Sequence, residues 1–536
     1  MNVLKERLRA LGPAILGGLR RGIEKESLRV RPDGALAATP HPAGLGSALT
    51  HPRITTDFSE SQLELITGVH SSVDACVQDL TEIHQIVYRH LGDEVLWSAS
   101  MPCRLPEDEA IPIGRYGHSN VGSAKTVYRL GLSHRYGRRM QTISGIHYNF
   151  SLPEAAWATL RAHIGGPNEA YFSLIRNFRR HSWLLLYLFG ASPAVCASFV
   201  AGREHELQVL KEGTLFMPAG TSLRMGRLGY QSDAQSSLAV SYNSLASYAA
   251  SLREALTQPY PPYEAIGIRE SGSATGNVAR VAGDVAATYR QLATSLLQIE
   301  NEFYGTVRPK RRINHGERTL HALLARGVEY VEVRCMDLDP FIPIGIAAVT
   351  MRFLDVFLLH CLLCNSPPET PQEIAAIARN QHRVAARGRE PELRLTRGTQ
   401  EVSLFEWGGQ VLVECEPIAT SLDSAHGGSA YRDALAAAVA ALHDPASVPS
   451  ARVIATMRQD YDSSHVRFVL AQSLRHRSAL ASLPLAAATE ALFARIAGES
   501  LAEQRKIEAA DRVPFETYRR DYLAQEFQSA GDDTTR

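Results

Sequence analysis

The sequence predicts an α+β protein in which a strand-bearing region comes first and a mainly helical region follows. Alternating apolar and polar residues, rich in β-branched or aromatic side chains, predict strands at 146–150 and 331–334. These strands do not alternate with regular crossover helices, which argues against a parallel α/β sheet. Beyond residue 350 the chain becomes rich in Ala and Leu at helical spacing. The predicted helices there are 352–365, 429–443 and 483–509. We therefore divide the chain into residues 1–350 and 351–536, packed together as one unit.

Composition limits the classes of function. The 536 residues exceed the ~250–300 at which a single core stops growing, so the chain can bury a large core or carry more than one domain. Lys plus Arg and Asp plus Glu each number 56, so the formal net charge is zero. This balance argues against a nucleic-acid partner and against an anionic membrane surface. Seven widely spaced cysteines do not form a disulfide framework, and they indicate the reducing cytoplasm.

Two segments could be mistaken for targeting or membrane signals. The N-terminal segment 1–22 carries early charges and only a broken apolar run, unlike a secretory signal. Residues 182–202 carry no charge, but Gly190 and Pro193 would interrupt a spanning helix. We predict a buried core helix that ends at this turn. The tail 528–536 is expected to be frayed.

The first candidate site lies in segment 20–30, which is predicted to be a strand. Glu24 and Glu26 are two residues apart, so both carboxylates would point to the same face. Two carboxylates this close repel each other unless a cation lies between them. The alternative is a solvated strand face that neighbouring Lys and Arg residues neutralise.

Further acids lie in similar settings. Asp57 and Glu64 stand beside apolar residues, and Glu332 stands between two valines of the strand at 331–334. Several such acids together favour a site for a hard cation with oxygen ligands, Mg²⁺ rather than Zn²⁺. Arg334 shares a strand face with Glu332, so a simple salt bridge also explains that acid.

The sequence does not show that the acids converge. If they stay apart, each needs water or a basic partner of its own, and Arg21, Arg29 and Arg334 are available for this role. His147 shares a strand face with Asn149, but a lone histidine is more often a core or surface residue than a ligand.

Three other motifs are rejected or left open. Cys361 and Cys364 have CxxC spacing, but no second pair completes a zinc site, so we expect two buried apolar side chains without catalytic chemistry. Segment 117–126 resembles a P-loop, yet Lys125 comes two residues too late. The basic run 308–312 suits either polyphosphate steering or a solvated turn.

Seven motifs, taken together and in order, resemble the proteobacterial glutamate–cysteine ligase family, also called γ-glutamylcysteine synthetase. They are RRGIEKESLRV, LGSALTHPRITTDFSESQLELIT, MQTISGIHYNFSLP, LFGASPAVC, TSLRMGRLGY, QIENEFYGTVRPKRR and GVEYVEVRCMDLDPF. The resemblance runs from about Arg20 to Gly388 and recurs through the helical C-terminal part.

This resemblance implies an ATP-dependent ligase that joins the γ-carboxylate of L-glutamate to the amine of L-cysteine. The reaction would pass through a γ-glutamyl phosphate and open glutathione biosynthesis. Mg²⁺ is the implied metal, with Mn²⁺ as its substitute, and no obligate protein partner is implied. The implied fold is related to glutamine synthetase, with a curved, mainly antiparallel sheet that forms a cup flanked by helices.

The resemblance also assigns roles to individual residues. The residues similar to the family's metal site are Glu24, Glu26, Asp57, Glu64, His147 and Glu332. Arg224 resembles the arginine that binds the glutamate substrate, and Arg334 resembles the arginine near the γ-phosphate. The tyrosines that match the pocket for the incoming cysteine are Tyr128, Tyr230 and Tyr304.

Two other functions remain as alternatives. A carboxylate–amine ligase of the same superfamily would use the same metal and ATP but a different amine. A nucleotide-binding regulatory protein would have kept the cup and lost turnover. The presence of Glu24 and Arg334 argues against the regulatory protein, and a panel of amines separates the two ligases.

Overall fold

A seven-stranded sheet with only antiparallel pairings organises the fold of this computed structural model, which describes residues 2–229, 238–269, 288–314 and 316–524. The strands of the described chain are β1 Arg20–Val30, β2 Ile54–Thr56, β3 Gln62–Ile66, β4 Val95–Leu96, β5 Ile146–Ser151, β6 Ala194–Cys196, β7 Gln208–Lys211, β8 Thr214–Phe216, β9 Val307–Lys310, β10 Tyr330–Met336, β11 Arg394–Arg397 and β12 Gln400–Ser403. The large sheet has the order β2-β3-β1-β5-β10-β9, and β4 pairs with the end of β1. The strand order β6-β8-β7 forms a second sheet, and β11-β12 is a hairpin.

Helices cover one face of the large sheet and build most of the C-terminal part. They are α1 Asn2–Gly17, α2 Val73–Tyr88, α3 Asn120–Tyr136, α4 Arg138–Gln141, α5 Ala155–Ile164, α6 Pro167–Phe189, α7 Leu245–Thr257, α8 Pro261–Ile266, α9 Thr319–Arg326, α10 Ala348–Leu363, α11 Pro371–Arg387, α12 Leu404–His426, α13 Ala430–His443, α14 Pro449–Asp460, α15 His465–Ser482, α16 Ala487–Ala510 and α17 Phe515–Leu523. The antiparallel sheet and the many helices confirm the predicted α+β class.

The two faces of the sheet differ because side chains alternate along each strand. Tyr148, Phe150, Val331 and Val333 are fully buried on one face, where β9 and β10 pack against α6 and β1 packs against α2. The opposite face carries charged residues. The sheet therefore has one core face and one face that is free to carry chemistry.

A buried ion pair connects the sheet to the helices behind it. Arg21 of β1 lies 3.0 Å from Asp355 of α10, and both side chains are fully buried. The hydroxyl of Tyr148 also donates to Asp355, at 2.7 Å. Because removing one partner would leave an uncompensated buried charge, this contact fixes the position of β1 relative to α10.

Several sequence predictions are confirmed. The strand predicted at 20–30 is β1, and α6 ends at Phe189, directly before the Gly190 turn. Helices α10, α13 and α16 match the predicted helical segments to within a few residues. The tail 528–536 lies outside the described residues.

Membrane-spanning length was tested on the described helices. None of them alone is long and apolar enough to cross a membrane. Helices α15 and α16 pass together by length and composition, but they are bent by 113° at their junction.

Candidate active site

The predicted acids converge on the polar face of the large sheet. The register places Glu26 of β1 opposite Glu64 of β3, and Glu24 of β1 opposite His147 of β5. Glu24, Glu64 and His147 each offer a ligand atom, and these three atoms lie within 4.8 Å of one another. The strand pairing thus brings together residues that are up to 123 positions apart in sequence.

Hydrogen bonds hold two of these acids in place. Glu24 lies 3.3 Å from Nδ1 of His147 and accepts a hydrogen bond from the amide of Asn149 at 2.9 Å. Glu26 accepts a hydrogen bond from the backbone N–H of Gly145 at 2.7 Å and lies 3.6 Å from Nε2 of His147. The imidazole therefore stands between the two carboxylates of β1.

Glu332 on β10 adds a paired acid to the same face. Its side chain is 1% exposed and lies 3.0 Å from both Lys310 of β9 and Arg334. Arg334 also lies 3.4 Å from His147. The salt bridge expected between Glu332 and Arg334 is present, and Lys310 supplies a second cation that the sequence did not pair with this acid.

The electrostatics divide the four glutamates into two pairs. Burial opposes ionisation of Glu24 and Glu332. His147 and Lys310 nevertheless hold the pKa of Glu24 below its ordinary value. Lys310 and Arg334 hold the pKa of Glu332 well below its ordinary value. Burial, followed by the charge of Asp57, raises the pKa of Glu26 to about 8.

Glu64 behaves like Glu26, because burial and the charge of Glu24 raise its pKa well above the ordinary value. The protein's own cations therefore compensate two of the four acids, and the other two retain their protons. Burial, followed by the charge of Arg334, lowers the pKa of His147, which favours a neutral imidazole.

A cleft of about 430 Å³ lies over this face of the sheet. Each predicted metal residue lines it, including Asp57, which follows β2. Tyr128 of α3 and Tyr304 also line it, and the Tyr304 hydroxyl is bonded to Gln141 at 2.8 Å. Tyr230 lies outside the described residues.

Arg224 is placed differently from the other predicted residues. It is 0% exposed, is not among the residues that line the cleft, and donates to the carbonyl oxygen of Arg334 at 2.7 Å. It also lies 3.9 Å from Asp337. A Cβ atom at Gly145 would come within 2.1 Å of its guanidinium, so a larger residue at 145 would displace Arg224.

The sequence left open that Arg21, Arg29 and Arg334 each neutralise one acid of the cluster. Of these three arginines, only Arg334 does so, through its contact with Glu332. Arg21 pairs with Asp355 on the other face, and Arg29 pairs with Glu94 at 2.7 Å. Neither arginine neutralises the cluster.

Sequence reasoning missed several cations of the cleft. Lys125 and Arg129 on α3 line it, and both stack over the ring of Tyr116, with Arg129 at 4.4 Å from its centroid. Burial, followed by repulsion from Arg129, lowers the pKa of Lys125 to about 8. Lys125 belongs to segment 117–126, which was rejected as a P-loop. Arg129 stands four residues later, a spacing that puts both cations on one face of a helix, and this spacing was the signal available in the sequence.

Comparison with known proteins points to one family. The profile of the "Glutamate-cysteine ligase" family matches residues 6–384. The glutamate–cysteine ligase of Alcanivorax borkumensis is 47% identical over 98% of this chain and 100% of its own length. The corresponding ligase of Azotobacter vinelandii is 48% identical over 97% and 98%.

A solved structure resembles almost the whole chain. The crystal structure of the Francisella tularensis glutamate–cysteine ligase in complex with AMP superposes with a TM-score of 0.87 at 36% identity. The match covers 94% of this chain and 97% of that one. On this evidence, the chain is a member of the glutamate–cysteine ligase family.

Proposed function

We propose that this protein joins the γ-carboxylate of L-glutamate to the amine of L-cysteine at the expense of ATP, the first step of glutathione biosynthesis. The convergence of Glu24, Glu64 and His147 beside Arg334 and Lys310, in a member of this family, carries the proposal. A carboxylate is a poor electrophile, so amide formation requires activation. Transfer of the γ-phosphoryl group of ATP to the glutamate side chain gives an acyl phosphate, which the cysteine amine then attacks with release of phosphate.

The acid cluster fits a divalent cation. Burial and the charge of neighbouring acids raise the pKa values of Glu26 and Glu64, and a bound cation would offset that repulsion. The buried Nε2 atom of His147 has no hydrogen-bond partner among the described residues. Glu24, Glu26, Asp57, Glu64, His147 and Glu332 would hold Mg²⁺, or Mn²⁺ in its place. The bound cation would supply positive charge to the phosphate oxygens.

The chain's own cations complete the phosphate site in this proposal. Arg334 and Lys310 already face one carboxylate from two sides, and the side chain of Arg334 is 18% exposed toward the cleft. A guanidinium preorganised in this way stabilises the charge that develops on the transferred phosphoryl group. Tyr128 and Tyr304, with Tyr230, would flank the cysteine.

Arg224 is proposed to bind glutamate, on one condition. Its guanidinium is bonded to the Arg334 carbonyl, so contact with glutamate requires these neighbours to rearrange. Residues from β1, β2, β3, β5, β9 and β10 line a single cleft, which supports the proposed cup related to glutamine synthetase.

Two further proposals concern the domain organisation and the location of the protein. Buried residues from Leu4 to Phe493 belong to one apolar cluster, which supports a single catalytic unit made of residues 1–350 and 351–536. All seven cysteines are free thiols, which supports a cytoplasmic location.

The test is ADP release by the purified protein in Mg²⁺ with glutamate plus cysteine. Turnover should require both amino acids, and γ-glutamylcysteine should form in a 1:1 ratio to ADP. Replacing cysteine with a panel of other amines separates this activity from that of a related ligase. Faster turnover with another amine would assign the alternative, and nucleotide binding without turnover would assign the regulatory protein.

A further inference from the structure

A second group of metal-ligating side chains lies in the helical layer behind the sheet. His181 of α6, His360 and Cys361 of α10 each offer one ligand atom, and these atoms lie within 4.8 Å of one another. None of the three lines the cleft. We propose that His181, His360 and Cys361 bind one thiophilic divalent cation of the Zn²⁺ class, with Glu414 orienting His360.

His360 has the arrangement of a metal-binding histidine. Its side chain is fully buried, and its Nε2 atom lies 2.8 Å from a carboxylate oxygen of Glu414 on α12. When Nε2–H donates to that carboxylate, the lone pair is left on Nδ1. The buried Nδ1 atom has no hydrogen-bond partner in the described part of the chain. A carboxylate that fixes the tautomer of a ligand histidine is a recurrent feature of metal centres.

His181 provides the second nitrogen. Its ring centroid lies 5.6 Å from that of His360, and its buried Nδ1 atom makes no well-formed hydrogen bond among the described residues. A neutral imidazole at this position can donate a lone pair. Two imidazole nitrogens without a well-formed hydrogen bond in one buried location are unfavourable unless a cation receives them.

Cys361 provides the sulfur. Cys361 is a fully buried free thiol, and a cysteine thiol is mostly protonated at neutral pH. A cation bound at this sulfur would displace the proton to water, and a metal–thiolate bond would form. Each binding event would then release one proton.

The ligand set selects the class of cation. Two imidazole nitrogens and one thiolate suit Zn²⁺ or Co²⁺, whereas Mg²⁺ prefers oxygen ligands. Ligand atoms in a tetrahedral site of this kind lie roughly 3.3–3.8 Å apart, so side-chain movements of about 1 Å would close the site. Cys364 and Glu414 stand next to His360, and the side chain of Glu414 is 40% exposed.

A metal at Cys361 and Cys364 was rejected on the sequence alone because no second pair of ligands was visible. The missing ligands are histidines from α6 and from the position directly before Cys361, and only the packing of α6 against α10 brings His181 to them.

The test is spectroscopic, uses Co²⁺ as the probe, and needs no turnover. Full-length protein is treated with chelator, placed in excess Mg²⁺ to occupy the acids of the cleft, and titrated with Co²⁺. We expect a thiolate-to-Co²⁺ charge-transfer band that saturates at one equivalent, with release of one proton. Cys361→Ser should lose the band, and Cys103→Ser, which changes another buried free cysteine, should keep it.

A milder variant protects the test against misfolding. Glu414→Gln removes only the orienting charge and should weaken Co²⁺ binding by about 10–100-fold. Circular dichroism and ADP release in Mg²⁺ check that each variant is folded. The proposal is overturned if wild-type protein gives no band, if the band survives in Cys361→Ser, or if Glu414→Gln binds Co²⁺ as tightly as wild type.

Discussion

Replacing Arg334 with lysine separates a structural salt bridge from a role in phosphoryl transfer. Arg334 lies 3.0 Å from Glu332, but Lys310 lies at the same distance from the other carboxylate oxygen. Lysine at position 334 also keeps a positive charge. Glu332 thus remains paired in the variant, so the expected loss of folding free energy is well below the about 3–5 kcal/mol that breaking a buried pair costs.

The catalytic rate should respond much more strongly than stability. Guanidinium presents a planar fork to two oxygens, whereas ammonium is a point charge on a stem of different shape. If Arg334 stabilises the transferred phosphoryl group, its contribution grows in the transition state, so kcat falls more than glutamate KM rises. Loss of one preorganised donor typically costs on the order of 10²–10³ in rate.

The assay combines steady-state ADP release with thermal unfolding. Arg383→Lys is the matched control, because Arg383 forms a partly exposed ion pair with Glu401 at 2.9 Å and does not line the cleft. We expect Arg334→Lys to melt within about 2–4 °C of wild type with kcat down by the factor given above. A variant that keeps its kcat but melts markedly earlier would refute the reasoning and leave only the salt bridge.

Three further predictions follow from the cluster and from the helical layer. Glu24→Gln removes one cation-binding charge, so turnover should require more Mg²⁺; unchanged activity at limiting Mg²⁺ would contradict this. The double variant Cys361→Ala/Cys364→Ala should lose about 0.5–3 kcal/mol of stability in chelator and keep its kcat, since both thiols lie outside the cleft; a folded double variant without turnover would show a catalytic role. In the folded, metal-free chain the pKa of Glu26 is raised from 4.5 to about 8, so the folded state holds this proton more tightly than the unfolded state. Raising the pH from about 4.5 to about 8 should therefore destabilise wild type relative to Glu26→Gln. Chelator-treated unfolding curves measure that difference, and parallel pH profiles would rule it out.

The sequence predicted the local elements of the site well. The two-residue spacing of Glu24 and Glu26 put both on one face of a strand at 20–30, and the same reasoning joined Glu332 to Arg334 on β10. These predictions succeed because a strand's two-residue period is a property of neighbouring residues.

Pairings across the sheet could not be predicted in this way. Lys310 was seen only as part of a basic run, yet the β9–β10 register brings it to Glu332. Arg21 and Arg29 were available partners for the acids, but Asp355 and Glu94 bind them instead. Such choices depend on which distant residues the register and the packing bring close.

The sequence by itself determined the α+β class, the strands that carry Glu24, Glu26 and Glu332 and, through seven ordered motifs, the resemblance to one family. The tertiary structure alone decided that Glu24, Glu64 and His147 meet, that Arg224 lies behind the cleft, and that His181 reaches Cys361. The physical reason is the distance along the chain over which each of these signals acts. Strand period and helix spacing act over a few residues, whereas the charge, burial and coordination of a site depend on side chains that only folding brings within a few ångströms.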